Sequence, residues 1–250
     1  IKPDFLIHGD DWKVGIQKQT RSNVLKLLGK WGGKLIEVPY TKENKIKISK
    51  NNISEIFFNP NTRVSRLKRL INSKKIVRFI EGHNPITGLL IENLKIDFKK
   101  EHREFDGIWS SSLTDSVSNG KPDNQSLELT TRISNLNNVM EATTKPVLFD
   151  ADNGGQIEHL PYLIRSLERA GVSAIIMEDK IGLKKNSLFL DQSNVQQDSI
   201  KNFCKKIRKA KNSTLSENFF VISRIESLIL GKSLDDALKR AIAYSKAGSD

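Results

Sequence analysis

From about Lys75 onward, short apolar runs of strand length alternate with amphipathic runs of helical length. The candidate strands are IVRFIEG (76–82), FDGIWSSS (105–112), PVLFDAD (146–152), SAIIMED (173–179) and FFVISRIE (219–226). Strands that are apolar throughout are typical of parallel sheets whose two faces are both covered, and the intervening helices supply that cover. The sequence therefore predicts an α/β fold built on a parallel sheet.

Two of the helical runs carry recognisable ends. Apolar side chains recur at helical spacing over residues 160–167, and Gly171 follows at a position where helices often stop. In the run 233–248, Ser233 is a candidate N-cap and Gly248 is the expected stop.

Polar side chains stand at the carboxyl end of every candidate strand. They are Glu81 and His83, Ser110 to Ser112, Asp150 and Asp152, Glu178, and Arg224 with Glu226. In an open doubly wound sheet the ligand binds mainly at one switch point, whereas in a (β/α)8 barrel all strand ends meet at one mouth. Five consecutive polar strand ends therefore favour a TIM-type (β/α)8 barrel. Only five strands are present, so we expect the closing units beyond Asp250.

The acids of two neighbouring strands suggest a metal site. Asp150 and Asp152 are two residues apart, so an extended strand places both carboxylates on one face. Glu178 closes the next apolar run and is followed by a polar loop. Three acids at adjacent strand ends would suit a hard divalent cation. Solvated strand-end acids or helix caps are the alternative interpretation.

Positive charge is concentrated in the first third of the chain. Residues 1–80 hold 18 Lys and Arg against 6 Asp and Glu, and residues 81–250 hold 23 of each. This excess could bind nucleic acid or a nucleotide triphosphate, or it could reflect lysines on solvated faces. The basic residues are not interleaved with aromatics, so nucleic acid is not the expected partner.

Other compositional features narrow the class of protein. One cysteine, Cys204, excludes an internal disulfide and a multi-cysteine metal site, and its helical context indicates a packed thiol. Apolar runs fall short of the roughly 20 residues that a membrane helix needs, and no signal peptide is visible. We therefore expect a cytoplasmic protein. The first residue is Ile1 and the chain stops soon after Gly248, so we expect a fragment of a longer chain.

Residues 1–50 have a different organisation from the rest. PDFLIHGDDWKVG (3–15) indicates a strand and a loop, and TRSNVLKLLGKWGGKLIEVPY (20–40) a helix and a strand. Together they predict the tail of a separate α/β domain. Residues 51–70 are expected to form a linker and a helix, with IFF (56–58) arguing against full disorder, and residues 71–250 the barrel.

Six ordered motifs carry a resemblance to a known family. They are EGHN (81–84), FDGIWSSSLTDS (105–116), GKPD (120–123), FDADNGG (149–155), EDKIGLKKNSL (178–188) and ISRIESLI (222–229). The chain resembles the phosphoenolpyruvate mutase and isocitrate lyase superfamily, specifically its phosphoenolpyruvate phosphomutase branch. The lyases of that superfamily have a cysteine in the loop where this chain has KKNSL (184–188), so the resemblance argues against isocitrate lyase chemistry.

The resemblance implies a role for the acids. Asp150 corresponds to the principal Mg2+ ligand, while Asp152 and Glu178 hold the waters of the metal. Asp123 matches the catalytic aspartate beside the migrating phosphoryl group. Without the family, an aspartate in GKPD (120–123) would simply be a turn residue.

The resemblance also implies substrate contacts. Ser111, Ser112 and Leu113 match the segment whose backbone N–H groups bind the substrate carboxylate, although the family often has glycine where Ser112 stands. The loop residues Lys184, Asn186 and Ser187 match a gating loop with catalytic and substrate-binding residues. Arg224 matches an arginine that binds a phosphoryl or carboxylate group, and its alternative role is a pair with Glu226.

The implied activity is that of an isomerase, the Mg2+-dependent rearrangement of phosphoenolpyruvate to 3-phosphonopyruvate that opens phosphonate biosynthesis. The resemblance further implies a homo-oligomer. Two alternatives stay open: a phosphonopyruvate hydrolase on the same scaffold, and a nucleotide-binding or cytidylyltransferase protein with an inactive barrel.

The motif HGDDW (8–12) resembles a late motif of the cytidylyltransferases, a Rossmann-like nucleotidyltransferase family often fused ahead of such mutases. The histidine motif that begins that domain is absent, and a later signature is degraded to YTKENKIKIS (40–49). Nucleotidyl transfer by this chain is therefore not expected.

Overall fold

The computed structural model describes residues 2–39, 59–98, 101–188, 192 and 194–250. The chain divides into two compact units, Ile1–Ser49 and Lys50–Asp250. The features predicted for residues 40–49 and 56–58 lie outside the described residues.

The first unit contains a β–α–β arrangement. Strand β1 (Phe5–Gly9) runs parallel to strand β2 (Lys34–Val38), and helix α1 (Lys18–Leu28) connects them. The loop after β1 forms two short 3-10 turns, and its Trp12 is buried and donates from Nε1 to Glu37 at 2.8 Å. Arg21 of α1 donates to both oxygens of the same carboxylate, at 2.7 and 3.0 Å. Glu37 of β2 thus binds both the loop and the helix. The order of strand, loop, helix and strand is the one that the sequence predicts.

The second unit alternates helices and strands. In chain order they are α2 (Pro60–Ser73), β3 (Phe79–Glu81), α3 (Pro85–Asn93), β4 (Ile96–Phe98), β5 (Glu101–Arg103), β6 (Gly107–Ser110), α4 (Ser112–Ser118), α5 (Leu129–Glu141), β7 (Val147–Asp150), α6 (Leu160–Ala170), β8 (Ala174–Glu178), β9 (Lys180–Ile181), β10 (Gln196–Gln197), α7 (Ile200–Lys211), β11 (Phe220–Arg224) and α8 (Leu234–Ala247).

Five of these strands form one parallel sheet. Their spatial order is β3, β6, β7, β8 and β11, so each strand pairs with the next unit along the chain. Sequential parallel neighbours are what successive units of a barrel produce. All five predicted strands are confirmed, with shorter bounds because their flanking residues form the connecting loops. Two small antiparallel hairpins, β4 with β5 and β9 with β10, were not predicted.

The alternation of side chains along the strands sets both the core and the site. Phe149, Ile175 and Val221 are fully buried in the apolar layer that includes the helices, whereas Leu148 and Ala174 belong to a smaller cluster on the opposite face. Successive strand residues point to opposite faces. Asp150 therefore shares the face of Leu148, and Glu178 shares the face of Ala174. Because the five strands are parallel, their carboxyl ends and the polar residues there lie at one edge of the sheet.

Both predicted helix ends are confirmed. Gly171 and Gly248 adopt the left-handed conformation, with φ of 96° and 106°, and Ser233 accepts the backbone N–H of Asp236 at 3.2 Å. Cys204 is buried on α7, as predicted. Among the described residues, no helix combines the length and apolar character that crossing a membrane requires.

Candidate active site

A cavity of about 410 Å³ lies at the carboxyl edge of the sheet. Nine of the eleven predicted site residues line it, namely Ser111, Ser112, Leu113, Asp123, Asp150, Lys184, Asn186, Ser187 and Arg224. The other two, Asp152 and Glu178, contact Lys184 and Arg224 respectively. The structure therefore brings all eleven together. Of the other polar strand-end residues, Glu81 and Glu226 also line the cavity, whereas His83 lines a separate surface depression.

The three predicted metal-site acids are all buried. Asp150 ends β7, and its carboxylate accepts the backbone N–H of Asp152 at 3.0 Å and the hydroxyl of Ser112 at 3.1 Å. Asp152 adopts a positive φ of 53°, which turns the chain out of the strand. Glu178 ends β8, and burial raises its pKa to about 7 against the opposing effect of Arg224 and Lys180.

Two cations face these acids. Lys184 contacts Asp152 and Ser112, and its Nζ lies 3.0 Å from Asp123. Burial disfavours its charged form, but the Asp152 and Asp150 carboxylates outweigh burial and raise the pKa of Lys184. The ammonium therefore stays charged at neutral pH.

Burial and nearby carboxylates also have opposing effects on the pKa of Arg224, at the end of β11. Arg224 contacts Glu178, lies 3.5 Å from Asp150, and donates to Glu226 at 2.6 Å. Burial works against its charge, and the surrounding carboxylates, Glu178 first, raise its pKa. The predicted pair with Glu226 is present together with the contacts into the cavity, so the two interpretations of Arg224 are compatible.

The donor set fits a hard cation, because every acid here offers oxygen. Over the described ranges, no group of three His, Cys, Asp or Glu side chains converges closely enough to hold an ion directly. An ion bound by one carboxylate and several waters does not require such convergence, since Mg2+ usually keeps part of its water shell.

The loop after β9 covers the cavity from one side. Asn186 donates from Nδ2 to Asp123 at 2.8 Å, and its Oδ1 accepts the backbone N–H of Leu188 at 2.8 Å. Ser187 donates to Glu226 at 2.7 Å. These bonds join the loop to the turn that carries Asp123 and to the end of β11.

The predicted carboxylate-binding segment begins α4. Ser111 is the residue before this helix, and Ser112 and Leu113 open it. The first N–H groups of a helix have no partner within the helix and favour anions. All three residues line the cavity, so the start of α4 lies at its wall.

A buried ion pair behind the cavity was missed from the sequence. Arg132 of α5 donates from Nε to Asp115 of α4 at 2.9 Å, and its guanidinium lies 3.8 Å from Asp152 and 4.4 Å from the centre of the Phe149 ring. Ser110 also donates to Asp115, at 2.9 Å. Both charged residues sit in helical runs where polar side chains normally face solvent, so no sequence signal marked them.

The contact between Lys180 and Glu226 was also not predicted from the sequence. Both are buried, and Lys180 Nζ lies 3.0 Å from Glu226. The motif EDK (178–180) could have indicated a buried ion pair, because a lysine directly after a buried strand end needs an anionic partner.

Comparisons with known proteins identify the family of residues 67–250. The family model described as phosphoenolpyruvate phosphomutase matches residues 67–250. A phosphoenolpyruvate phosphomutase from Tetrahymena pyriformis is 33% identical over 195 residues, covering 78% of this chain and 62% of the relative. A phosphonopyruvate hydrolase from Variovorax sp. (strain Pal2) is 32% identical over 192 residues, covering 76% and 62%. This chain thus spans less than two thirds of these curated relatives.

Solved structures establish the fold. The crystal structure of a phosphoenolpyruvate phosphomutase from Streptomyces platensis subsp. rosaceus matches with a TM-score of 0.68 and 36% identity, covering 75% of this chain and 62% of that one. A phosphonopyruvate hydrolase complex with oxalate and Mg++ matches with a TM-score of 0.65 and 29% identity, covering 75% and 61%. The predicted TIM-type barrel class is confirmed. The chain belongs to the phosphoenolpyruvate phosphomutase family of enzymes, within the PEP mutase/isocitrate lyase superfamily.

Proposed function

We propose that this chain is a phosphoenolpyruvate phosphomutase, which rearranges phosphoenolpyruvate to 3-phosphonopyruvate. The observation that carries the proposal is the convergence on one cavity of Asp123, Lys184 and Asn186 with Asp150 and Arg224. A buried lysine and a partly buried arginine suit a phosphoryl group. Asp123, which contacts both Lys184 and Asn186, suits a position beside that group.

The reaction is an isomerisation, so the substrate and the product have the same atoms and no second reactant is consumed. The bond between phosphorus and the enol oxygen breaks, and a bond between phosphorus and carbon 3 forms. Arg224, Asn186, Ser187 and Lys184 would steady the phosphoryl group while Asp123 mediates or guides its transfer. The backbone N–H groups of residues 111–113 would hold the carboxylate of the substrate.

Exclusion of water decides the outcome of such a reaction, because water can capture a loose, metaphosphate-like phosphoryl group. The loop bonds of Asn186 to Asp123 and of Ser187 to Glu226 support a closed cavity. Closure of this kind favours recapture by carbon over hydrolysis.

We further propose Mg2+ as the cofactor. Asp150 would bind the ion directly, and Asp152 and Glu178 would hold its waters. The ion, when bound, would supply positive charge against the enolate oxygen.

Phosphonopyruvate hydrolysis is the second candidate. It is favoured by the 32% identity to a phosphonopyruvate hydrolase over 76% of this chain. The two activities would differ in whether water reaches the phosphoryl group.

Phosphorus NMR of the full-length protein with phosphonopyruvate and Mg2+ tests the proposal. A phosphoenolpyruvate signal is expected, and it should be lost in Asp123→Ala but kept in Asp235→Ala, which changes an exposed aspartate on α8. Phosphate and pyruvate as the sole products would favour the hydrolase. Full activity of Asp123→Ala would refute the assigned role.

The remaining assignments are proposals of the same kind. Residues 1–50 would be the C-terminal part of a cytidylyltransferase-like domain, 51–70 a linker and helix, and 71–250 the barrel. We propose a cytoplasmic homo-oligomer that does not bind nucleic acid. Light scattering on the full-length protein tests the oligomer, and a CTP-binding assay tests whether the first domain retains nucleotide affinity.

A further inference from the structure

We propose that Lys180 is a positioning residue that holds residues 184–188 closed over the cavity by joining that segment to Glu226. The inference rests on the proposed function, because it assigns a residue to the water exclusion that the mutase needs.

Lys180 uses its ammonium group fully. Its Nζ donates to the backbone oxygen of Lys185 at 3.1 Å and to Oγ of Ser187 at 2.6 Å, and it lies 3.0 Å from a carboxylate oxygen of Glu226. A lysine has three N–H donors, and these three partners match them. Two of the partners belong to the covering segment and the third to the loop that follows β11.

Lys180 is a support rather than a substrate contact. Its side chain is 3% exposed, and it is not one of the residues that line the cavity. Glu178 is also near, at 4.0 Å, but that carboxylate is in direct contact with Arg224. The ammonium therefore acts on the site through the segment that it holds.

Glu226, the third partner of Lys180, is itself held in place by hydrogen bonds. The backbone N–H of Glu226 donates to Asp179 at 3.0 Å, and the Glu226 carboxylate also accepts from Arg224 at 2.6 Å. Asp179 is fully buried and accepts from Tyr244 of α8 at 2.7 Å and from Gln197 of β10 at 2.8 Å. Lys180 thus connects a covering segment to a buried polar network of the barrel.

The segment that Lys180 holds carries Asn186, which donates to Asp123. Without Lys180, Lys185 and Ser187 lose a charged donor, so the open form of the segment gains population. Loss of one hydrogen bond to a charged group shifts such an equilibrium by roughly tenfold or more. Opening admits water beside Asp123.

Trypsin cleavage of the full-length protein after Lys184 and Lys185, followed by mass spectrometry, measures this opening without any catalysis. Cleavage follows the population of the open form when opening and closing are fast. We expect Lys180→Met to be cut at these sites roughly tenfold faster than the wild type. The control Lys201→Met, an exposed lysine on α7, should be cut at the wild-type rate. Wild-type cleavage of Lys180→Met would overturn the proposal.

A second variant keeps the test decisive. If Lys180→Met is cut throughout residues 50–250, Lys180→Gln is judged by the same criterion. Failure of both variants to fold would assign Lys180 to general stability and would also overturn the proposal.

Product analysis then separates this inference from the proposed function. If the wild type makes phosphoenolpyruvate from phosphonopyruvate, Lys180→Met should release a larger share of phosphate and pyruvate, and an unchanged share would count against the inference. If the wild type makes no phosphoenolpyruvate, the mutase proposal fails, while the cleavage rates still decide the role of Lys180.

Discussion

Replacing Arg132 with methionine is expected to destabilise residues 50–250 strongly, because the change strands a buried carboxylate. Arg132 and Asp115 are both buried and their side chains meet at 2.9 Å. Asp115 keeps only the hydroxyl of Ser110 as a partner among the contacts described above. The methionine fills most of the volume of the arginine stem, so the lost interaction is mainly electrostatic.

The magnitude follows from the burial of both partners. Removing one member of a buried ion pair typically costs about 3–5 kcal/mol, because the remaining charge is uncompensated. For a unit of this size, each kcal/mol shifts Tm by about 2–4 °C, so the expected loss is roughly 6–20 °C. The double variant Arg132→Met with Asp115→Leu should recover most of that loss, since replacing a whole buried pair by apolar side chains is often nearly neutral.

Urea unfolding of the wild type, both single variants and the double variant measures the free energies. Arg165→Met is the control, because Arg165 is an exposed arginine on α6. A cost below about 1 kcal/mol for Arg132→Met, the size of a surface ion pair, would refute the reasoning. So would a double variant no more stable than the worse single variant.

The same pair predicts a pH dependence. Burial already raises the pKa of Asp115, with Arg132 opposing the shift. Without Arg132 that pKa should rise further. A carboxyl whose folded pKa is raised loses stability as pH increases through that pKa, so Arg132→Met should be more destabilised at about pH 8 than at about pH 5.

Three further outcomes are expected. The Arg21 guanidinium lowers the pKa of Glu37 to about 2, so an NMR titration of that carboxyl should have its midpoint there. Arg21→Ala should move the midpoint toward the ordinary 4.5, and an unchanged midpoint would contradict the assigned cause. A methyl group at Gly107 would clash with the Phe79 ring, so Gly107→Ala should cost about 1–3 kcal/mol in urea unfolding, and a neutral change would show that the ring moves freely. Ser233→Ala should lower the free energy of unfolding by about 1 kcal/mol through loss of the α8 N-cap, whereas no change would mean that water replaces the cap.

The sheet and the strand-end acids were predictable because both depend on local periodicity. A run such as PVLFDAD (146–152) indicates a buried strand by its composition, and the carboxylates at its end must then lie at the edge of the sheet. Gly171 and Ser233 were predictable for a similar reason, since a helix end depends on its own few residues.

The supports behind the site could not be predicted in this way. Asp115 and Arg132 lie on different helices and meet only because those helices pack together. Lys180 reaches Glu226 across two neighbouring strand ends, and its partners within the loop depend on how that loop folds back. A single sequence shows that these residues are charged, but charge in a helix or loop usually indicates solvent rather than a buried partner.

The small hairpin of β9 and β10 has a consequence for how such enzymes diversify. It pairs Lys180 with Gln197 and Ile181 with Gln196, so the two ends of the intervening segment lie side by side. Once the ends are joined, doubling the length of the insertion costs only about 0.6 kcal/mol of closure entropy. The segment can therefore be replaced by one of another length while the strands and their acids stay unchanged. Mutase, hydrolase and lyase relatives of one barrel are the diversity that such exchange would produce.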